Sequence, residues 1–189
     1  MTKHNRKGQW QKKTLRLKDN HTWKAPKGYK IVVVDRGAAS FNIPEHWHLA
    51  KLEPLELLDK EPPNDNARLT VTVWHLPPGV DWTALPLGPL LAQATEGVHE
   101  HILARSEVVT SPRTDLELAW TEHRFLDPQE KREAYSRIAV ARGFDVQILA
   151  TFDFWVDEAK QYLPVWHEVL RSLQLGRKIE DPTKGVMLH

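Results

Sequence analysis

The chain has 189 residues, of which 41% are apolar and 27% charged, and it contains no cysteine. That length supports one globular domain with a real core and is cramped for two; the missing cysteines exclude a disulfide framework, a thiolate metal site and a cysteine nucleophile. The net charge of +1 hides an asymmetry: residues 1–30 hold ten basic side chains against one acid, a balance of +9, and the remainder carries −8.

The first 28 residues therefore read as a basic arm. Lys3, Arg6, Lys7, Lys12, Lys13, Arg16 and Lys18 are its candidate anion-binding residues. They suit a phosphate backbone, an anionic lipid surface or an acidic partner, because each neutralised phosphate releases a counterion. Trp10 and Trp23 could add stacking. The alternative is a solvated tail that lies against its own acidic body. No RNA-binding signature and no zinc-finger spacing accompanies the arm. It also lacks the apolar core of a secretory signal, and no stretch approaches the roughly 18 apolar residues of a membrane span, so the expectation is a soluble, cytoplasmic protein.

The folded part is expected over residues 29–176. Ile31-Val32-Val33-Val34 is a β-branched run ending at the turn signal Asp35-Arg36-Gly37. Ala39 to Ile43 and Trp47 to Leu52 read as two arms of a hairpin turning at Pro44-Glu45-His46. Leu55 to Leu58 is apolar and ambiguous. After the breaker Pro62-Pro63-Asn64-Asp65-Asn66, the run Leu69 to Trp74 alternates with period two and places Leu69, Val71 and Val73 on one face. Pro77-Pro78-Gly79 closes that strand.

Pro89 suits the first position of a helix on which Leu90, Leu91, Ala94, Val98 and Ile102 form one stripe, despite Gly97. Three β-like runs follow, over residues 107–110, 116–125 and 134–142, and Arg142-Gly143 turns into a fourth at 144–155, which reads as an antiparallel meander. The last element has a strong helical period through Ala159, Tyr162, Leu163, Trp166, Val169, Leu170 and Leu173. Pro164 interrupts it, predicting a short turn over 157–162 and a main helix from Leu163. Gly176 is placed to cap that helix in the left-handed region. Residues 177–189 read as a tail, with too little apolar content from Ile179 to His189 to fold alone.

This order predicts an α+β fold, an antiparallel sheet flanked by helices in a layered sandwich. Three segments sharpen it: Ala39-Ser40-Phe41-Asn42-Ile43-Pro44-Glu45-His46-Trp47, then Ala150-Thr151-Phe152-Asp153-Phe154, and Tyr162-Leu163-Pro164-Val165-Trp166 with Leu170-Arg171-Ser172-Leu173. Together they bracket residues 30–175, and the chain resembles the PsbP-like family. The resemblance implies a scaffold that binds other proteins, adaptor- or chaperone-like, with no shared catalytic residues and no cofactor. It does not account for the basic arm.

Candidate chemistry is sparse. His46 and His48, two apart on a strand, point to one side and could chelate a metal if His75, His99 or His101 supplied a third ligand, the basis of a histidine-metal hydrolase reading. Against it stands surface and turn histidine, with Trp47 alone facing the core. No serine sits in a nucleophile elbow, and Thr183-Lys184-Gly185 has neither the order nor the preceding strand of a phosphate loop. Of eight tryptophans, Trp47, Trp120 and Trp166 fit apolar faces. Trp74 falls out of phase with its strand and Trp82 lies in a proline-rich loop, which makes both candidate partner-binding anchors unless they pack under a second layer.

Overall fold

The computed structural model describes residues 12, 14, 23–97, 101–111, 113–181 and 186–188. Its centre is an eight-stranded antiparallel sheet built from β3 (His48–Leu52), β4 (Leu55–Leu58), β5 (Ala67–His75), β6 (Ile102–Arg105), β7 (Val109–Ser111), β8 (Glu117–Leu126), β9 (Glu133–Gly143) and β10 (Val146–Trp155). The order is β3-β4-β5-β10-β9-β8-β6, with β7 also paired to β8. A second sheet, β1-β2-β11, joins β1 (Tyr29–Val34), β2 (Ala39–Pro44) and β11 (Gln174–Leu175). Helix α2 (Ala159–Ser172) packs beside β2, and helix α1 (Leu87–Ala94) packs on β8 and β9. The α+β layered architecture expected from the sequence is the one observed.

The first face of the large sheet carries the main core. Alternation along β10 sends Val146, Ile148, Ala150, Phe152 and Phe154 inward, and Leu69 and Val71 of β5 join them. Phe152 lies 6.0 Å from Trp166 in a stacked arrangement, and Trp166 meets Trp120 edge to face at 6.2 Å. Each large side chain so buried contributes about 1.5–3 kcal/mol. A smaller cluster on the second face joins Leu87 and Leu91 of α1 to Ala119, Ile138 and Val140. Both faces of β8 and β9 are thus covered, which explains why these strands read as mixed runs.

Several expectations are corrected. Residues 39–43 and 47–52 do not pair with each other: β2 pairs with β1 and β11, whereas β3 pairs with β4. The chain changes sheets at Glu45-His46-Trp47, and burial of Trp47 against Phe152, ring centres 5.8 Å apart, holds the crossing. Helix α1 ends at Ala94. Thr95 turns its hydroxyl back to Leu91 O at 2.9 Å and Gly97 takes a φ of +83°. Ile102 belongs to β6, and Val98 lies outside the described residues.

Pro164 sits inside an unbroken α2 after a 3-10 turn over Val156–Glu158. Loss of one backbone hydrogen bond costs about 3 kcal/mol in a helix interior, and burial of Tyr162, Val165, Trp166, Val169 and Leu170 exceeds it. Gly176 does adopt a left-handed φ of +65°, but after β11, not at the end of α2. The tail includes a hairpin of β12 (Lys178–Asp181) and β13 (Val186–Leu188).

Candidate functional site

Register brings polar side chains together on the second face of the large sheet. At one end His123 of β8 lies opposite Ser136 of β9, which lies opposite Asp153 of β10, which lies opposite Arg68 of β5. The next rows inward are Thr121, Ile138, Thr151 and Thr70, then Ala119, Val140, Leu149 and Thr72. The last row is Glu117, Arg142, Gln147 and Trp74. These rows were invisible in the sequence, because each member sits on a different strand.

Among the described residues, helix α1 covers this face mainly over β8 and β9, with Leu149 of β10 at the margin of its apolar cluster. Arg142, buried, anchors the loop ahead of it by donating to Leu85 O at 2.9 Å and to Glu117 Oε2 at 2.6 Å. Toward β10 and β5 the cover runs out: Thr70, Thr72, Gln147, Leu149 and Thr151 are half-buried, and Trp74 is 44% exposed. An aromatic ring on a threonine-rich strand surface offers a large apolar area, and the threonines beside it lose little side-chain freedom on binding. The expectation that Trp74 stands out of phase with the core holds. Trp82 is half-buried in a 3-10 turn just before α1, and its Nε1 donates to Pro77 O at 3.4 Å.

The other candidates are dispersed. His46 is exposed in the crossing, His48 lies at the edge in β3 within 3.3 Å of Glu61 Oε1, and His75 Nε2 contacts Asp35 Oδ2 at 2.6 Å. His101 lies just before β6 and His99 outside the described residues. Among the described residues no group of three or more His, Asp or Glu is placed to hold a metal ion. In the row His123–Ser136–Asp153 the serine stands between the other two, whereas a nucleophilic triad needs the histidine there. Ser136 is also buried.

Of the arm's candidates, Lys12 is exposed, and Lys3, Arg6, Lys7, Lys13, Arg16 and Lys18 lie outside the described residues. Lys30, the last cation of the basic segment, donates from Nζ to Glu45 O at 2.8 Å and to Trp47 O at 2.5 Å. Desolvation, and then the charge of Lys12, lowers its pKa below the ordinary lysine value.

The layered arrangement, with one large antiparallel sheet between helices, is the PsbP-like fold. The chain is similar to cyanobacterial PsbP (CyanoP) from Synechocystis sp. PCC 6803, with a TM-score of 0.55 and 12% identity over 80% of this chain and 95% of that one. It is similar to a protein of Bacteroides thetaiotaomicron (TM-score 0.56, 12% identity, 79% and 49% of the two chains). LpqN of Mycobacterium tuberculosis, described as involved in cell envelope biogenesis, gives a TM-score of 0.53 at 10% identity over 77% and 89%. Within this class the chain belongs to the Alr1449 family, whose model matches residues 30–179. The protein alr1449 of Nostoc sp. (strain PCC 7120) is 44% identical over 180 residues, 94% of this chain and 93% of that one.

Proposed function

We propose that this chain is a non-enzymatic protein-binding domain, adaptor- or chaperone-like, which docks a partner on the uncovered half of its second sheet face. Trp74 is the anchor and Trp82 a second contact. The supporting observation is the exposure of Trp74 where α1 stops short of β10 and β5. Hot-spot residues of this kind sit in a water-excluding surround of weaker contacts, which Thr72, Gln147 and Leu149 can supply. A cytoplasmic location belongs to the same proposal, and cell fractionation checks it.

A photo-crosslinking amino acid at position 74 of the full chain tests the reading in native cell extract. A discrete adduct whose partner is lost on Trp74→Ala, with unchanged thermal stability, supports it. Retention of the partner by Trp74→Ala, or turnover of a substrate through a mappable nucleophile or metal, refutes it. A second reading rests on the +9 of residues 1–30: the arm tethers the domain to nucleic acid or an anionic surface. Deletion of residues 1–27 then abolishes a salt-sensitive interaction, and absence of binding at low salt rules it out. The histidine-metal hydrolase reading predicts bound metal, and activity lost on His46→Ala and His48→Ala.

A further inference from the structure

Strand β1 is the outer edge of the three-stranded sheet, and among the described residues no strand pairs with its far side. Which backbone groups face that side follows from the ladder. Glu45 N donates to Gly28 O at 2.8 Å, so Gly28 and Glu45 form a hydrogen-bonded pair. Antiparallel ladders alternate, so Lys30–Ile43, Val32–Phe41 and Val34–Ala39 carry the bonds between β1 and β2. Tyr29, Ile31 and Val33 turn their N–H and C=O groups outward. Tyr29 N is returned to Pro26 O at 3.0 Å. The other side of the same alternation is visible on β2, where Asn42 N turns away from β1 and donates to Ser172 Oγ at 2.8 Å. Ile31 and Val33 thus present an outward donor and acceptor each, in a strand with no bulge and no proline, whose one charged side chain, Lys30, is drawn back to Glu45 O and Trp47 O.

The surroundings select the occupant. The ten cations of residues 1–30 lead directly into this strand, and Lys24 and Lys27 are exposed just before it. A second copy of β1 would bring an equal charge of the same sign against the first. An extended acidic segment would find both strand partners and counter-charge. Val32 and Val34 pack on the core, which holds the edge rigid, while Ile31 and Val33 are only partly buried and leave apolar ground for alternate side chains of an added strand.

We infer that β1 accepts an extended acidic segment of a partner protein by strand addition at Ile31 and Val33. It rests on the protein-binding reading only in taking the partner to be a protein; the surface is a different one from that around Trp74.

The test is fluorescence anisotropy of the full chain with a labelled alternating Glu-Val peptide of about eight residues, and with its Lys-Val counterpart. The acidic peptide binds and the basic one does not. Val33→Pro removes an outward donor without breaking a bond to β2, and binding falls roughly tenfold or more. Val33→Thr keeps the donor and binds as the original does. Trp74→Ala also binds the peptide unchanged, which separates this surface from the sheet face. Circular dichroism checks the fold of Val33→Pro. If that variant is misfolded, slowed hydrogen exchange at the Ile31 and Val33 amides with bound peptide supports the assignment, and unaltered exchange overturns it. Equal binding by folded Val33→Pro, equal binding of the basic peptide, no peptide binding at low salt, or a self-dimer dissolved by Val33→Pro would each overturn it.

Discussion

Tyr162 Oη donates a 2.7 Å hydrogen bond to Asp59 Oδ2, joining α2 to the end of β4 across 103 positions of the chain. Asp59 is buried, and its other oxygen accepts from Asn66 N at 2.7 Å and Ala67 N at 2.9 Å. Burial first, and then the hydrogen bond to the carboxylate, raises the Tyr162 pKa above the ordinary phenol value, so the hydroxyl stays a donor. Charge-assisted bonds contribute about 1.5–3 kcal/mol each, and Tyr162→Phe is expected to destabilise by about 2 kcal/mol in urea titration. Asp59→Ala orphans three donors at once and costs more, about 3–5 kcal/mol. Equal effects of the two variants would show that the loop's backbone donors find other acceptors.

Glu168 couples the same helix to β2. Its carboxylate accepts from Arg171 Nη2 at 2.7 Å and from Asn42 Nδ2 at 2.7 Å. The Arg171 hydrogen bond, opposed by desolvation and aided by Asn42, holds its pKa below the usual carboxylate value. A depressed folded-state pKa adds stability above the unfolded value, and the addition is lost as pH falls through the folded one. Glu168→Gln should therefore be less stable than the original near neutral pH, with the gap closing as pH drops below about 4. A gap independent of pH would place the effect on packing instead.

Gly176 has a φ of +65°, and a Cβ there would stand 2.7 Å from Cβ of Phe144 at the tip of the β9–β10 turn. Gly176→Ala is expected to cost about 1–2 kcal/mol from the left-handed backbone alone, and more from the clash. Phe144→Gly removes the clashing Cβ together with the ring, and so relieves the clash but not the strain at position 176. Thermal melts of the double variant should thus recover part of the loss, and strict additivity would show that the turn carrying Phe144 shifts aside at no cost.

Trp74 and Phe152 lie on opposite faces of the same sheet. Phe152→Ala opens a cavity beside Trp166 and should cost about 3–5 kcal/mol. Trp74→Ala should shift stability by less than about 1 kcal/mol, because its ring already meets solvent. Denaturant midpoints compare the two. A large loss for Trp74→Ala would reassign that side chain to the core and remove the basis for docking there.

Period-two alternation made β5 legible before any fold was known, since Leu69, Val71 and Val73 declare which side is buried whatever the partner strand. The same holds for α2, whose three-to-four spacing survived the proline because the buried stripe outweighs one missing backbone bond. The charge division between arm and body is likewise a property of the chain alone. Tertiary structure decided which strands meet. Local pattern could not tell that β2 would turn to β1 and β11 instead of β3, because the chain crosses between sheets where Trp47, the first residue of the second candidate arm, is buried against Phe152. Nor could it align His123, Ser136 and Asp153, or leave Trp74 uncovered. Those outcomes depend on register between strands and on where α1 stops, and both are fixed by packing between residues far apart in the chain.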